Sequence, residues 1–117
     1  MNNQLPQLIL GDYIVPVPVI QGGMGVGVSR SRLAGAVAKE GGIGVISTAQ
    51  IGYDEENFEK NPAECNCRAI IKHIAQAKEI AGGNGLVGVN FMVAFKHYRQ
   101  LIETAEDVVR FCRQIYR

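Results

Sequence analysis

Tryptophan is absent from the 117-residue sequence, no run of about 18 apolar residues occurs, and neither sign of charge dominates. Each absence excludes something. Without a long apolar run no membrane-crossing helix is expected. With 12 basic and 11 acidic residues, and a net charge of +1, there is no basic stripe to track a nucleic-acid backbone. The start, Met1-Asn2-Asn3-Gln4-Leu5-Pro6-Gln7, has no cationic stretch leading into an apolar one, so no secretory leader is read there. Only three cysteines occur, Cys65, Cys67 and Cys112. An odd count without an export signal fits reduced thiols and a cytoplasmic setting.

Glycine, by contrast, is plentiful. There are 14 glycines, clustered at 22–27, 41–44 and 82–88, with β-branched apolar residues between them. That mixture marks tight junctions between packed elements and not a flexible linker. The chain opens with a hairpin pattern, Leu8 to Val15, with Gly11-Asp12 as its turn. Pro16 and Pro18 hold the following stretch extended. Pro18-Val19-Ile20-Gln21 then reads as a buried parallel strand.

A glycine loop, Gly23 to Val28, leads to Ser29 as a helix N-cap. The spacing predicts a helix over about Arg30–Glu40, facing inward through Leu33, Ala34, Ala36 and Val37, and stopped by Gly41-Gly42. Ile43 to Ser47 reads as a second buried strand, and 48–61 as a polar, turn-rich connection. Asn61-Pro62 starts a helix running to about Ala81, with Ile70, Ile71, Ile74, Ala77 and Ile80 on its period and Gly82-Gly83 at its end. Leu86 to Met92 is the third strand, Val93 to His97 a loop, and Tyr98 to Tyr116 a last helix. Its apolar face carries Leu101, Ile102, Ala105, Val108, Val109, Cys112 and Ile115. Alternating strands and helices predict an α/β fold with a parallel sheet. An open doubly wound sheet and part of a (β/α)₈ barrel both fit.

The glycine loop does not fit a dinucleotide fingerprint. Counting from Gly23 and Gly25, the third glycine would fall at Val28; counting from Gly25 and Gly27, at Arg30. No acidic residue ends the second strand to hold a ribose. No Gly-Lys-Ser or Gly-Lys-Thr follows for a phosphate loop. Two readings stay open: a plain tight turn, or backbone that approaches the edge of a flat ring closely. Asn90, at the end of an apolar strand, likewise reads either as a locally satisfied amide or as one bonded to a heterocycle with donors and acceptors. Cys65 and Cys67 do not make a zinc site, which takes four ligands, and His73 reads as a lone residue on the polar side of its helix. No metal is expected. Cys112 reads as core, His97 as a solvated loop residue, and Asp54, Glu55 and Glu56 as a solvated charged loop.

Three segments together resemble the nitronate monooxygenase family, formerly called 2-nitropropane dioxygenases. They are Pro18-Val19-Ile20-Gln21-Gly22-Gly23-Met24-Gly25, then Leu33-Ala34-Gly35-Ala36-Val37-Ala38-Lys39-Glu40-Gly41-Gly42-Ile43-Gly44, then Gly88-Val89-Asn90-Phe91-Met92. The resemblance covers roughly residues 8–102 and implies the N-terminal part of a (β/α)₈ TIM barrel, about three β/α units. It implies a partial FMN-binding domain over residues 1–117, with FMN held non-covalently at the C-terminal mouth. Gly23, Met24 and Gly25 would lie against the isoalloxazine, Asn90 would hydrogen-bond it, and Met92 would add a contact, with Gln21 as a nearby support. The implied activity is oxidation of a small molecule, an alkyl nitronate, by O₂.

A related FMN-dependent enoyl-acyl-carrier-protein reductase shares these motifs and is the alternative. A complete barrel takes about 250 residues, with phosphate held by loops after its seventh and eighth strands. The family's catalytic histidine also lies beyond the third unit. The chain is therefore expected to be an N-terminal portion, itself inactive. Its open strand edges lead to an expectation of self-association, of a complementing chain, or of a non-catalytic association module.

Overall fold

The computed structural model describes the backbone of residues 5–115 and the side chains of residues 5–109. The elements run β1 (Leu8–Leu10), β2 (Tyr13–Val15), α1 (Ser31–Lys39), β3 (Ile43–Ser47), α2 (Pro62–Ala81), β4 (Leu86–Asn90) and α3 (Tyr98–Ile115). Strands β1 and β2 form the expected antiparallel hairpin, Leu8 opposite Val15, with Gly11 at φ +58° in the turn. Strands β3 and β4 pair in parallel with Ile43 opposite Leu86 and Ser47 opposite Asn90. This is a small mixed α/β structure with two two-stranded sheets and three helices, and among the described residues no barrel closes.

The expected strand at Pro18–Gln21 is reduced to one parallel bridge, Ile20 to Ile43. Two ladder bonds form: Ile43 N–H to Val19 O at 2.8 Å and Gln21 N–H to Ile43 O at 3.0 Å. The next amide in the ladder, Val45 N–H, bonds the Gln21 side-chain Oε1 at 2.9 Å instead of main chain. A side chain therefore ends the strand one step early, and the backbone is free to turn at Gly22. Nor is the segment buried, as the sequence led one to expect. Ile20 is 61% exposed and Val19 49%, because among the described residues no strand pairs with its far edge and none covers its outer face.

The core lies between the β3–β4 pair and the three helices. Ile46, Ile51, Ile70 and Ile74 are essentially fully buried there, joined by Ala34, Ala69, Ala77, Leu101 and Ala105. Burying a side chain of this size contributes about 1.5–3 kcal/mol. Helix α1 sits very close to β3, since a Cβ on Gly44 would run into the Ala34 carbonyl. It also sits close to α2, since a Cβ on Gly35 would fall 2.7 Å from Ile80 Cβ and 3.0 Å from Ala77 O.

The inward face of α1 is therefore Ser31, Ala34, Gly35 and Ala38; the expected Ala36 is exposed and Leu33 and Val37 are only half-buried. On α2 the buried stripe is Cys65, Ala69, Ile70, His73, Ile74, Ala77 and Ala81. Ile71 and Ile80, expected inside, are 48% and 38% exposed. Helix α2 keeps its expected bounds and ends on Gly82 in the left-handed region, but Asn61 makes no side-chain cap bond. Strand β4 stops at Asn90, so Phe91 and Met92 belong to the following loop. On α3, Leu101 and Ala105 are buried as expected, while the Cys112 and Ile115 side chains lie outside those described.

Candidate functional site

Parallel strands put all their C-terminal ends on one edge. Here that edge gathers the Gln21–Gly25 segment, Ser47 to Ala49 after β3, and Asn90 to Met92 after β4. The pieces are bonded to one another. Val26 N–H donates to Ala49 O at 2.9 Å, Ser47 N–H to Ser29 O at 3.0 Å, and Thr48 N–H to Asn90 O at 3.1 Å. The Thr48 hydroxyl also donates to Asn90 O at 3.0 Å.

Ser29 is the clip of the glycine loop. Helix α1 begins one residue later than an N-cap at Ser29 requires, and its cap position, Arg30, makes no side-chain cap bond. Freed from that role, the fully buried Ser29 hydroxyl accepts from Met24 N–H at 2.9 Å and from Gln21 Nε2 at 2.9 Å. Ser29 N–H donates back to Met24 O at 2.9 Å. Gln21 thus ties β3, through Val45 N–H, to the loop that Ser29 closes. The sequence placed Gln21 near the site; it is the bracket that shapes it.

The five residues singled out in the sequence divide into two groups. Gly23 and Asn90 are brought together: a Cβ on Gly23 would lie 3.0 Å from Asn90 Cβ and 3.4 Å from its Oδ1. Gly25 lies against the β3 end, where a Cβ would fall 2.9 Å from Ala49 Cβ. Met24 and Met92 are about half-exposed, at 47% and 48%. Asn90 is exposed, contrary to the expectation of a buried amide, because the strand end is uncovered. Gly22 faces open space, with nothing within 4 Å of where its Cβ would be. Among the described residues neither Gly23 nor Gly25 donates its N–H to another backbone group. Free backbone donors beside a carboxamide with one donor end and one acceptor end match the edge of a flat ring bearing both. The residues present therefore fit a flavin ring edge.

A cleft of about 160 Å³ opens on the same edge, between the start of α2 and the loop before α3. Pro62, Ala63, Phe95 and Leu101 give it apolar walls, and Thr48, Lys96 and His97 add polar groups. His97 is exposed on its loop, as expected, and borders this hollow. A larger hollow, about 360 Å³, lies at the opposite ends of the strands, bounded by Gly41 and by Gly83 to Gly85. It is a gap between turns, remote from Asn90.

The charged loop after β3 is paired, not merely solvated. Arg30 donates to both Asp54 carboxylate oxygens at 2.9 Å, and its guanidinium lies 5.4 Å from the Tyr53 ring centre. The Arg30 hydrogen bond holds the Asp54 carboxyl below the ordinary carboxylate range. Arg68 pairs with Glu55 at 3.0 Å and with Glu64 at 2.8 Å.

His73 is likewise corrected: it is 8% exposed, between α1 and α2. Its Nδ1 lies 3.0 Å from Ser31 Oγ, which donates to Gln76 Oε1 at 3.0 Å. With the Ser31 proton directed at Gln76, Nδ1 is the protonated nitrogen. Burial, followed by the nearby Arg30 and Lys72 charges, pushes the His73 pKa below 6.5. The Arg30–Asp54 and Ser31–His73 pairings had no local sequence signal, since they stand 24 and 42 residues apart.

The sequence model of the family described as nitronate monooxygenase matches residues 8–94 of the 117-residue chain. No curated protein matches the chain. The matched stretch spans the hairpin, the glycine loop, β3, α2 and β4 with its Asn90 end.

Proposed function

The chain belongs to the nitronate monooxygenase family, and we propose that it supplies the flavin-edge portion of an FMN-dependent oxidoreductase that oxidises alkyl nitronates with O₂. The observation that carries this reading is the meeting of Gly23 with Asn90 at the C-terminal strand edge. When bound, FMN supplies the electron transfer that no side chain can perform.

The protein's own residues would do three things. Backbone N–H groups at Gly23 and Gly25 would orient the ring edge, and the Asn90 carboxamide would bond its donor and acceptor atoms. Met24 and Met92 would cover part of the ring with polarizable apolar surface and keep water from it. Gln21 and Ser29 would hold the loop in register through the bonds described above. The cleft beside His97 would receive the aliphatic part of a small substrate; about 160 Å³ is the scale of a cavity that holds a benzene-sized molecule. The three strand lines are proposed as the first β/α units of a TIM barrel, the remainder of the catalytic constellation lying on further units.

Association is proposed as well. Ile9 and Ile14 on the hairpin are 69% and 60% exposed, and among the described residues the outer edge of β4 pairs with no strand. Exposed apolar surface of this kind marks an interaction surface. Sedimentation of the chain over a range of concentrations should show mass rising with concentration; a constant monomer mass would remove this part of the proposal. The cofactor reading is tested by adding FMN to the 117-residue chain and following flavin fluorescence. Saturable quenching that is weakened in Asn90→Ala is expected. Quenching indifferent to Asn90 would refute the assignment of the ring edge.

A further inference from the structure

Outside the proposed ring contacts, the Tyr53 ring lies against the glycine loop, and Arg30 and Asp54 brace that ring. Gly27 has φ +82° and lies beneath Tyr53; a Cβ there would fall 2.5 Å from Tyr53 Cε1 and 3.1 Å from its hydroxyl. The Arg30 guanidinium stacks on the same ring at 5.4 Å from its centre, and Asp54 fixes Arg30 through two 2.9 Å contacts. Arg30 Nη1 also reaches Ile51 O at 3.5 Å. Beside this stack, Val26 N–H is bonded to Ala49 O at 2.9 Å. Val26 itself has φ +51°, a region that β-branched residues rarely adopt. Such a conformation persists only where the surroundings enforce it.

The loop that would meet the ring is thus held in an unfavourable shape by Tyr53, from the connection that follows β3, with Arg30 and Asp54 behind it. From this geometry we infer that Tyr53, Arg30 and Asp54 act as a clamp that pre-sets the Gly23–Val28 loop for its ligand. They are positioning residues: none lies among the proposed ring contacts, and their effect passes through Gly27 and Val26. In the absence of the clamp, Val26 would relax toward negative φ and the Gly23 and Gly25 amides would lose their fixed positions. The ligand would then have to re-order the loop on binding, which weakens affinity without removing any contact. The part of this inference that concerns FMN rests on the function proposed above. The part that concerns the loop's shape does not.

Two measurements on the full chain separate these parts. The first is amide hydrogen exchange without ligand, comparing wild type with Tyr53→Ala, Tyr53→Phe and Asp54→Asn. The clamp predicts exchange at Val26 and Ser29 faster by about tenfold in Tyr53→Ala, with Val45 and Ile46 in β3 unchanged. Tyr53→Phe keeps the ring over Gly27 and beneath Arg30 and should behave as wild type; Asp54→Asn should fall between. Unaltered exchange at Val26 in Tyr53→Ala, or equal acceleration in β3, would overturn the clamp whatever FMN does.

The second is FMN affinity by fluorescence quenching. Tyr53→Ala should bind about tenfold more weakly, with Tyr53→Phe restoring affinity. Loosened exchange with unchanged FMN affinity would contradict the clamp's role in binding. Loosened exchange in a chain whose wild type does not bind FMN would sustain the clamp and defeat the cofactor reading instead.

Discussion

The two sides of β3 are built differently. Toward α1 and α2 everything is tight: Gly44 admits the Ala34 carbonyl, Gly35 admits Ile80, and Ile46, Ile70 and Ile74 fill the space between. Toward the hairpin and the Pro18–Gln21 line, large apolar side chains stand open, Ile14 and Ile20 among them. Residues of the same β-branched type therefore do opposite things on the two sides. On the first side they are the cohesion of the fold. On the second they are surface awaiting a neighbour. The glycines differ in the same way: Gly44 and Gly35 exist so that helices can approach, whereas Gly22 and Gly23 leave backbone bare at an edge where a ligand can reach it.

That contrast can be broken most forcefully at Gly44. A single added methyl in Gly44→Ala collides with main chain that cannot yield, so a loss of about 3 kcal/mol is expected in urea unfolding. A loss below about 0.5 kcal/mol would mean that α1 does not sit where it is described.

At the open edge, Asn90→Ala should leave the unfolding midpoint near that of wild type while weakening FMN binding by about tenfold. A large stability loss without a binding change would reverse the roles given to the two sides.

A smaller effect tests the packed interface through pH. His73 holds its proton less well folded than unfolded, so acid favours the unfolded chain. Its stability is whole above the unfolded value near 6.5, falls as pH drops through that value, and levels off below the folded pKa. His73→Asn keeps a donor near Ser31 but does not titrate. Its unfolding free energy should vary less than that of wild type between pH 7 and the acid plateau; identical pH profiles would show that His73 is not buried as described.

The smallest effect is expected from Ile14→Ser. It should shift stability by no more than about 0.5 kcal/mol, yet lower the sedimenting mass at high concentration.

Much of the order of elements was legible because its signals are local. Gly11-Asp12 marked the hairpin, Pro62 and Gly82 bracketed α2, and the apolar run at Ile43 to Ser47 gave β3 its bounds. The helix phases were less legible. On α2 the apolar period includes Ile71 and Ile80, but the buried stripe carries Cys65 and His73 instead. At the edge, the sequence marked Gly23 and Asn90 through their family pattern, and they do meet in space. It misjudged the burial of Asn90 and of Ile20, because burial depends on neighbours that local pattern does not contain. Ser29 illustrates the remaining difficulty. A serine before a helix has the signature of a cap, and only the fold reveals that its hydroxyl serves Met24 and Gln21.

The account depends above all on the strand edge being a flavin-ring site. Its most direct test is the FMN titration of the 117-residue chain, run side by side with Asn90→Ala and Gly23→Val. Saturable quenching in the wild type, weakened in both variants, is the predicted result. A wild-type chain that leaves flavin fluorescence unchanged, or variants that quench it as well as the wild type does, would contradict the assignment.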